Sequence, residues 1–128
     1  MTNAKSPTAI LAVDDDDLNL KLLSYTLSGA GHLVRTALSG AEALTSVAQH
    51  PPDLILLDVM MPGMCGYEVL SVLKSQESTR SIPVIMLTSL EDEDSRTKGI
   101  ALGAAQFLSK PTRRVELLAA IAALLKRA

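Results

Sequence analysis

Three aspartates, a threonine and a lysine stand where apolar runs of this chain come to an end. Ile10 to Val13 runs into Asp14 and Asp15, and Leu54 to Leu57 runs into Asp58. The run from Pro83 to Leu87 closes on Thr88-Ser89, and Gln106 to Ser109 is followed by Lys110-Pro111. Carboxylates gathered in one place repel one another unless a cation lies between them. Hard oxygen donors suit Mg²⁺, which takes a few carboxylates, keeps waters and leaves positions for phosphate oxygens. A lysine supplies a point charge for a phosphate, and a threonine supplies a hydroxyl donor. An aspartate in such company is also a nucleophile that can form an acyl phosphate. Transfer to Asp58 needs in-line approach and neutralised equatorial oxygens, which a metal and Lys110 would supply.

For those residues to meet, the elements between them must form one sheet. Short apolar runs alternate with helical patterns along the whole chain. A strand over Ile10–Val13 precedes a helix with Leu18, Leu22 and Tyr25, then Leu23 and Leu27, at helical spacing, stopping at Gly29 and Gly31. His32 to Ala37 is the second strand, and Ser39 caps a helix to about Gln49, ended by His50-Pro51-Pro52. Leu54 to Asp58 has no alternation, as expected of a strand covered on both faces. A loop over Val59–Gly66 leads to a helix from Tyr67 to about Gln76, with Val69, Leu70 and Leu73 on one side. Pro83 to Leu87 is the fourth strand. Glu91 to about Leu102 is a polar-faced helix with an acidic first turn that suits its dipole. Gln106 to Ser109 is the fifth strand. The last helix runs from about Thr112 to Arg127, with Val115, Leu118, Ile121 and Leu125 as its expected buried stripe.

Five strands alternating with five helices predict an α/β domain with a doubly wound parallel sheet. The commonest solution is the flavodoxin-like order 2-1-3-4-5, with ligands bound beyond the carboxyl ends of the strands at the switch point. Asp14, Asp15, Asp58, Thr88 and Lys110 all fall on that rim.

At this point the chain resembles the receiver domains of two-component response regulators, of the chemotaxis-regulator type. The resemblance rests on ILAVDDDDLN, DLILLDVMMPGMCGYEVL, PVIMLTS and GAAQFLSKP, in family order and spacing, and covers about Ala9 to Arg127. It implies that Asp15 is a direct metal ligand and that Asp14 holds the metal through water. It further implies that Asp58 is the phosphoacceptor and that Met60 offers the metal its backbone carbonyl. Thr88 and Phe107 match the switch pair, and Lys110 the phosphate-contacting lysine. The Lys110-Pro111 peptide is expected to be cis. The implied function is a Mg²⁺-dependent switch, not a turnover enzyme, phosphorylated by a sensor histidine kinase or a histidine phosphotransfer protein and slowly dephosphorylating itself. Effectors would read it through the face of helix 4, strand 5 and helix 5. Two departures stand out. Cys65 occupies a position often acidic in the family, and GAAQFL lacks an acidic residue common in transcription-factor receivers. The second weakens the expectation of their salt-bridged dimer, leaving a monomer or a weak phosphorylation-dependent dimer.

Composition bounds this reading. At 128 residues the chain is one domain in size, divided here into a flexible tail over 1–8 and a receiver domain over 9–128. A hydrophobic content of 48% without tryptophan calls for a core of Leu, Ile, Val, Ala and Met. The net charge of -2 argues against nucleic-acid binding by this domain. Cys65 is the only cysteine, which excludes an internal disulfide. The polar start lacks a signal-peptide pattern, and no segment approaches the roughly 18 apolar residues of a membrane span, so a cytoplasmic location is expected.

Blander readings stand beside these. Asp14 to Asp17 could be a solvated turn, but Asp16 or Asp17 suffices to cap the first helix. Phe107 could be core alone. His32 and His50 lie at turns, away from the rim. An aspartyl-phosphate phosphatase would usually carry a second acid two residues after the nucleophile, where this chain has Met60. A phosphorylation-independent module on the same fold conflicts with the intact acidic set, and a flavin site conflicts with acids after the first strand. No DNA-binding or cyclase segment is present in these residues, so the chain is either a stand-alone regulator or the receiver of a longer protein.

Overall fold

The computed structural model describes residues 8–89 and 93–125. The chain runs β1 (Ala9–Val13), α1 (Asp17–Gly29), β2 (Leu33–Ala37), α2 (Gly40–Gln49), β3 (Leu54–Asp58), α3 (Gly66–Ser75), β4 (Val84–Thr88), α4 (Glu93–Ala101), β5 (Gln106–Ser109) and α5 (Arg114–Leu125). The strands form one sheet in the order β2-β1-β3-β4-β5, every pair parallel. This is the expected flavodoxin-like arrangement, with β1 and β3 adjacent at its switch point.

The central strands explain the architecture. Along β3 the side chains alternate between two cores: Ile55 and Leu57 join the one under α2, α3 and α4, and Leu54 and Leu56 the one under α1 and α5. Both faces of β3 and β4 are buried, so neither strand shows the polar alternation of a half-exposed sheet. Caps agree with the sequence at two places. Asp16 Oδ1 accepts from the Leu18 N–H at 3.0 Å to cap α1, and Ser39 Oγ accepts from the Glu42 N–H at 3.1 Å to cap α2.

Helix phase departs from the expected stripe at α5, and at α1 packing selects among the regularly spaced apolar residues. On α1, Leu18, Leu22 and Tyr25 are exposed, while Leu20 and Leu27 are buried and Leu23 packs beside them. This helix carries leucines on several sides, so spacing alone admits more than one stripe. On α5 the buried residues are Leu117 and Ile121; Leu118 and Leu125 are partly buried, and Val115 is 79% exposed. Arg114–Leu125 is apolar nearly all round, which removes the periodic signal that would orient it.

Most boundary shifts are single residues. β1 begins at Ala9, β2 at Leu33, and β4 spans Val84–Thr88 in place of Pro83–Leu87. Proline has no N–H for the ladder, although the Pro83 carbonyl still accepts from Ile55 N–H at 3.0 Å. α3 begins and ends one residue early, at Gly66 and Ser75, and α5 is shorter than expected at its start. The expected start of helix 4 at Glu91 and the segment 1–7 of the tail lie outside the described residues, as does the end of the last helix at Arg127. Thr8 is already tied in, its carbonyl accepting from Leu33 N–H at 2.8 Å. Among the described residues, no helix is long and apolar enough to cross a membrane.

Candidate functional site

The carboxyl ends of β1, β3, β4 and β5 bring their terminal residues to one rim. Asp14 follows β1 and is 2% exposed; Asp58 closes β3 and is 5% exposed. Asp15 is exposed beside them. One carboxylate oxygen from each of these three aspartates lies within 4.8 Å of the others. Lys110, just past β5, reaches across the rim: its Nζ stands 2.9 Å from Asp14 Oδ2 and 3.0 Å from Asp58 Oδ1. Asp14 is further held by the Asp16 N–H, which donates to Oδ1 at 2.9 Å, and by Asn19 Nδ2, 3.4 Å from Oδ2.

Register explains the placement of the rest. Asp58 lies opposite Leu87, so Thr88 is the next residue outward on β4, opposite Ser109 on β5. Thr88 is fully buried, and Lys110 N–H donates to its carbonyl at 2.7 Å, anchoring the turn that carries the lysine. The Lys110-Pro111 peptide is cis. Phe107 is buried in β5, under α4. The Met60 side chain is exposed at 57%, beyond the end of β3.

At the rim three carboxylates face one ammonium. Burial raises the Asp58 carboxyl above its ordinary 3.8; the Lys110 hydrogen bond and charge pull it down, and the charges of Asp14 and Asp15 push it up again. For Lys110, burial lowers the ammonium, but hydrogen bonds and charge from Asp14 and Asp58 outweigh burial and leave it raised above 10.5. A single lysine thus serves two buried carboxylates, and the third acid is left to solvent. Clustered hard oxygens short of positive charge fit a small divalent cation.

Two contributors escaped the sequence reading. Asn19, in the first turn of α1, turns back on Asp14; its signal was its position five residues after that acid in DDDDLN. Gly66 lets α3 start against the end of β3, where a Cβ would stand only 2.3 Å from the Asp58 carbonyl oxygen. Beside the rim, a groove of about 480 Å³ opens between α1 and α5, lined in part by Asp14, Asn19, Ser89 and Lys110.

The family model described as "Response regulator receiver domain" matches residues 10–122. The chain belongs to the response regulator receiver domain family. This receiver is 44% identical over 115 residues to the response regulator PleD of Caulobacter vibrioides, covering 90% of this chain and 25% of PleD. It is 39% identical over 119 residues to the phosphate regulon transcriptional regulatory protein PhoB of Rhizobium meliloti, covering 93% of this chain and 52% of PhoB. The receiver therefore spans about a quarter to a half of these relatives. In structure it is similar to the chemotaxis protein CheY4 of Vibrio cholerae, with a TM-score of 0.88 and 34% identity over 93% of this chain and 99% of that one.

Proposed function

We propose that this receiver is a phosphorylation switch in which Asp58 accepts a phosphoryl group from a phosphohistidine on a sensor kinase or phosphotransfer protein. The observation that carries the reading is the pairing of Lys110 with both Asp14 and Asp58 beside a third carboxylate, at the switch point of the sheet. Asp14, Asp15, Asp58 and the Met60 carbonyl would hold Mg²⁺, which when bound neutralises charge on the oxygens of the transferring group.

The chain's own residues do the rest. Asp58 presents a carboxylate oxygen in line with the donor phosphorus; a P–O bond forms as the P–N bond breaks, and the leaving imidazole takes a proton. Lys110 is already 3.0 Å from Asp58 Oδ1 and needs little movement to contact a phosphoryl oxygen there. The Thr88 hydroxyl would turn to the same group, and Phe107 would change its packing as the β4–α4 segment follows. Water entering the same site would hydrolyse the acyl phosphate slowly.

Met60 stands where a phosphatase would carry its second acid, which favours a switch over a turnover enzyme. Partners would read the state on α4, β5 and α5, where Ile100 and Val115 are exposed. Family membership supports a cytoplasmic receiver, alone or within a longer regulator, and the missing acidic residue in GAAQFL supports a monomer or weak dimer. The test is intact-protein mass after incubation with acetyl phosphate, with and without Mg²⁺. A single Mg²⁺-dependent phosphoryl adduct is expected on the wild type and none on Asp58→Asn. Full labelling of the Asn variant would reject the assignment.

A further inference from the structure

The groove of about 480 Å³ between α1 and α5 has the size of a small-molecule site, for which roughly 300–1,000 Å³ is usual. Buried Leu87 of β4 and Leu117 of α5 line it together with Leu22, Leu23 and Pro111. No lining residue is aromatic, so the walls offer aliphatic contact and no ring to stack on. Leu22 is 59% exposed there, apolar surface that an apolar ligand would take out of water. The charged residues of the lining are Asp14, Lys110 and Arg114, and their pairing is uneven. Lys110 is committed to Asp14 at 2.9 Å and to Asp58 at 3.0 Å. Arg114 opens α5, and among the described residues its guanidinium makes no ion pair or hydrogen bond. The hydroxyls of Thr26 and Ser89, also on the lining, are likewise without a partner among the described residues. Aliphatic walls with a few uncommitted polar groups are what a small amphipathic ligand needs.

We propose that this groove is a binding site for a small aliphatic monocarboxylate, its chain among Leu22, Leu23 and Leu117 and its carboxylate on the Arg114 guanidinium. The planar fork of arginine matches a carboxylate through two parallel hydrogen bonds. One negative charge is what the lining admits. Arg114 supplies a single uncommitted cation, and Asp14 at the rim end repels a second anionic group. A cationic ligand is opposed by Arg114 and finds Asp14 already held by Lys110. Asp14 and Lys110 belong to the groove and to the rim alike, so a bound carboxylate is a small-molecule input beside the acidic cluster. Neither the aliphatic walls nor Arg114 takes part in chemistry at Asp58, so this site exists whether or not Asp58 is an acceptor.

Hexanoate is titrated into the ¹⁵N-labelled chain in metal-free buffer and followed by amide chemical shifts. Saturable shifts are expected to gather at Leu22, Leu23, Thr26, Thr112 and Leu117. Arg114→Gln removes the cation and Leu22→Gln the apolar wall, each at an exposed position where the fold has little to lose. Each should raise the apparent Kd for hexanoate about fivefold, the first by the loss of an exposed ion pair and the second by lost apolar contact. Hexan-1-ol has the same chain without the charge. It should bind the wild type about fivefold more weakly than hexanoate and bind Arg114→Gln as it binds the wild type. Shifts that never saturate, or that gather under α2, α3 and α4 instead, would overturn the site. Unchanged hexanoate affinity in Leu22→Gln would do the same. Hexan-1-ol binding as tightly as hexanoate, or hexanoate affinity unmoved by Arg114→Gln, would overturn the choice of a carboxylate.

Discussion

Replacing Lys110 with methionine keeps the length and apolar stem of the side chain and deletes its charge. At 2.9 Å and 3.0 Å from two buried carboxylates, each attraction is gross about 5–6 kcal/mol at an effective dielectric near 20. Most of that is offset by the cost of taking the ions out of water. Removing one partner of a buried pair nets a loss of about 3–5 kcal/mol. The lysine side chain is 25% exposed, so solvent screening brings the expected loss to about 2–4 kcal/mol. For a domain of this size that is a fall in Tm on the order of 10 °C. Without the ammonium, three carboxylates within 4.8 Å have no nearby counter-charge, and a divalent cation becomes their only neutralisation. Excess Mg²⁺ should therefore raise the Tm of Lys110→Met more than that of the wild type, recovering much of the loss. Thermal melts of both proteins in chelator and in Mg²⁺ give the comparison directly. Equal Mg²⁺ shifts in the two proteins would mean that lysine and metal do not share one field, and the electrostatic account of the rim would fail.

Because burial first of all raises Asp58 above 3.8, the folded state holds that proton more tightly than the unfolded chain. Its contribution to stability is present below the unfolded value and is lost as pH rises through the folded one. In metal-free buffer Asp58→Asn should thus gain stability relative to wild type as pH rises above the ordinary 3.8 of the unfolded carboxyl, and an advantage that grows on acidification would contradict it. Gly66→Ala would push a Cβ to 2.3 Å from the Asp58 carbonyl oxygen and 2.9 Å from Val59 Cα, both backbone atoms with little room to yield. Chemical denaturation should report a loss near the top of the roughly 1–3 kcal/mol range for overpacking, with slower phosphoryl labelling; an unchanged midpoint would show that α3 can start elsewhere.

Much of this protein is legible from the order of residues alone. β3 and β4 are continuous apolar runs because both their faces are covered, and each ends in a polar residue at the rim, Asp58 or Thr88. Parallel strands and the switch-point rule then carry Asp14, Asp15 and Lys110 to the same rim with no further information. Caps such as Asp16 and Ser39 are local, depending on a side chain and an N–H two or three residues away, and so they too are written in the sequence. What tertiary packing alone decided is of another kind. Which leucines of α1 face the sheet, and which side of α5 is covered, depend on the surface they meet, since both helices carry apolar residues on several sides. The division of Lys110 between two carboxylates, the approach of α3 to the Asp58 carbonyl at Gly66 and the packing of Phe107 against Gly99 are distances between residues on different elements. Periodicity records which faces are apolar, but the gap between two backbones is set only when both are packed.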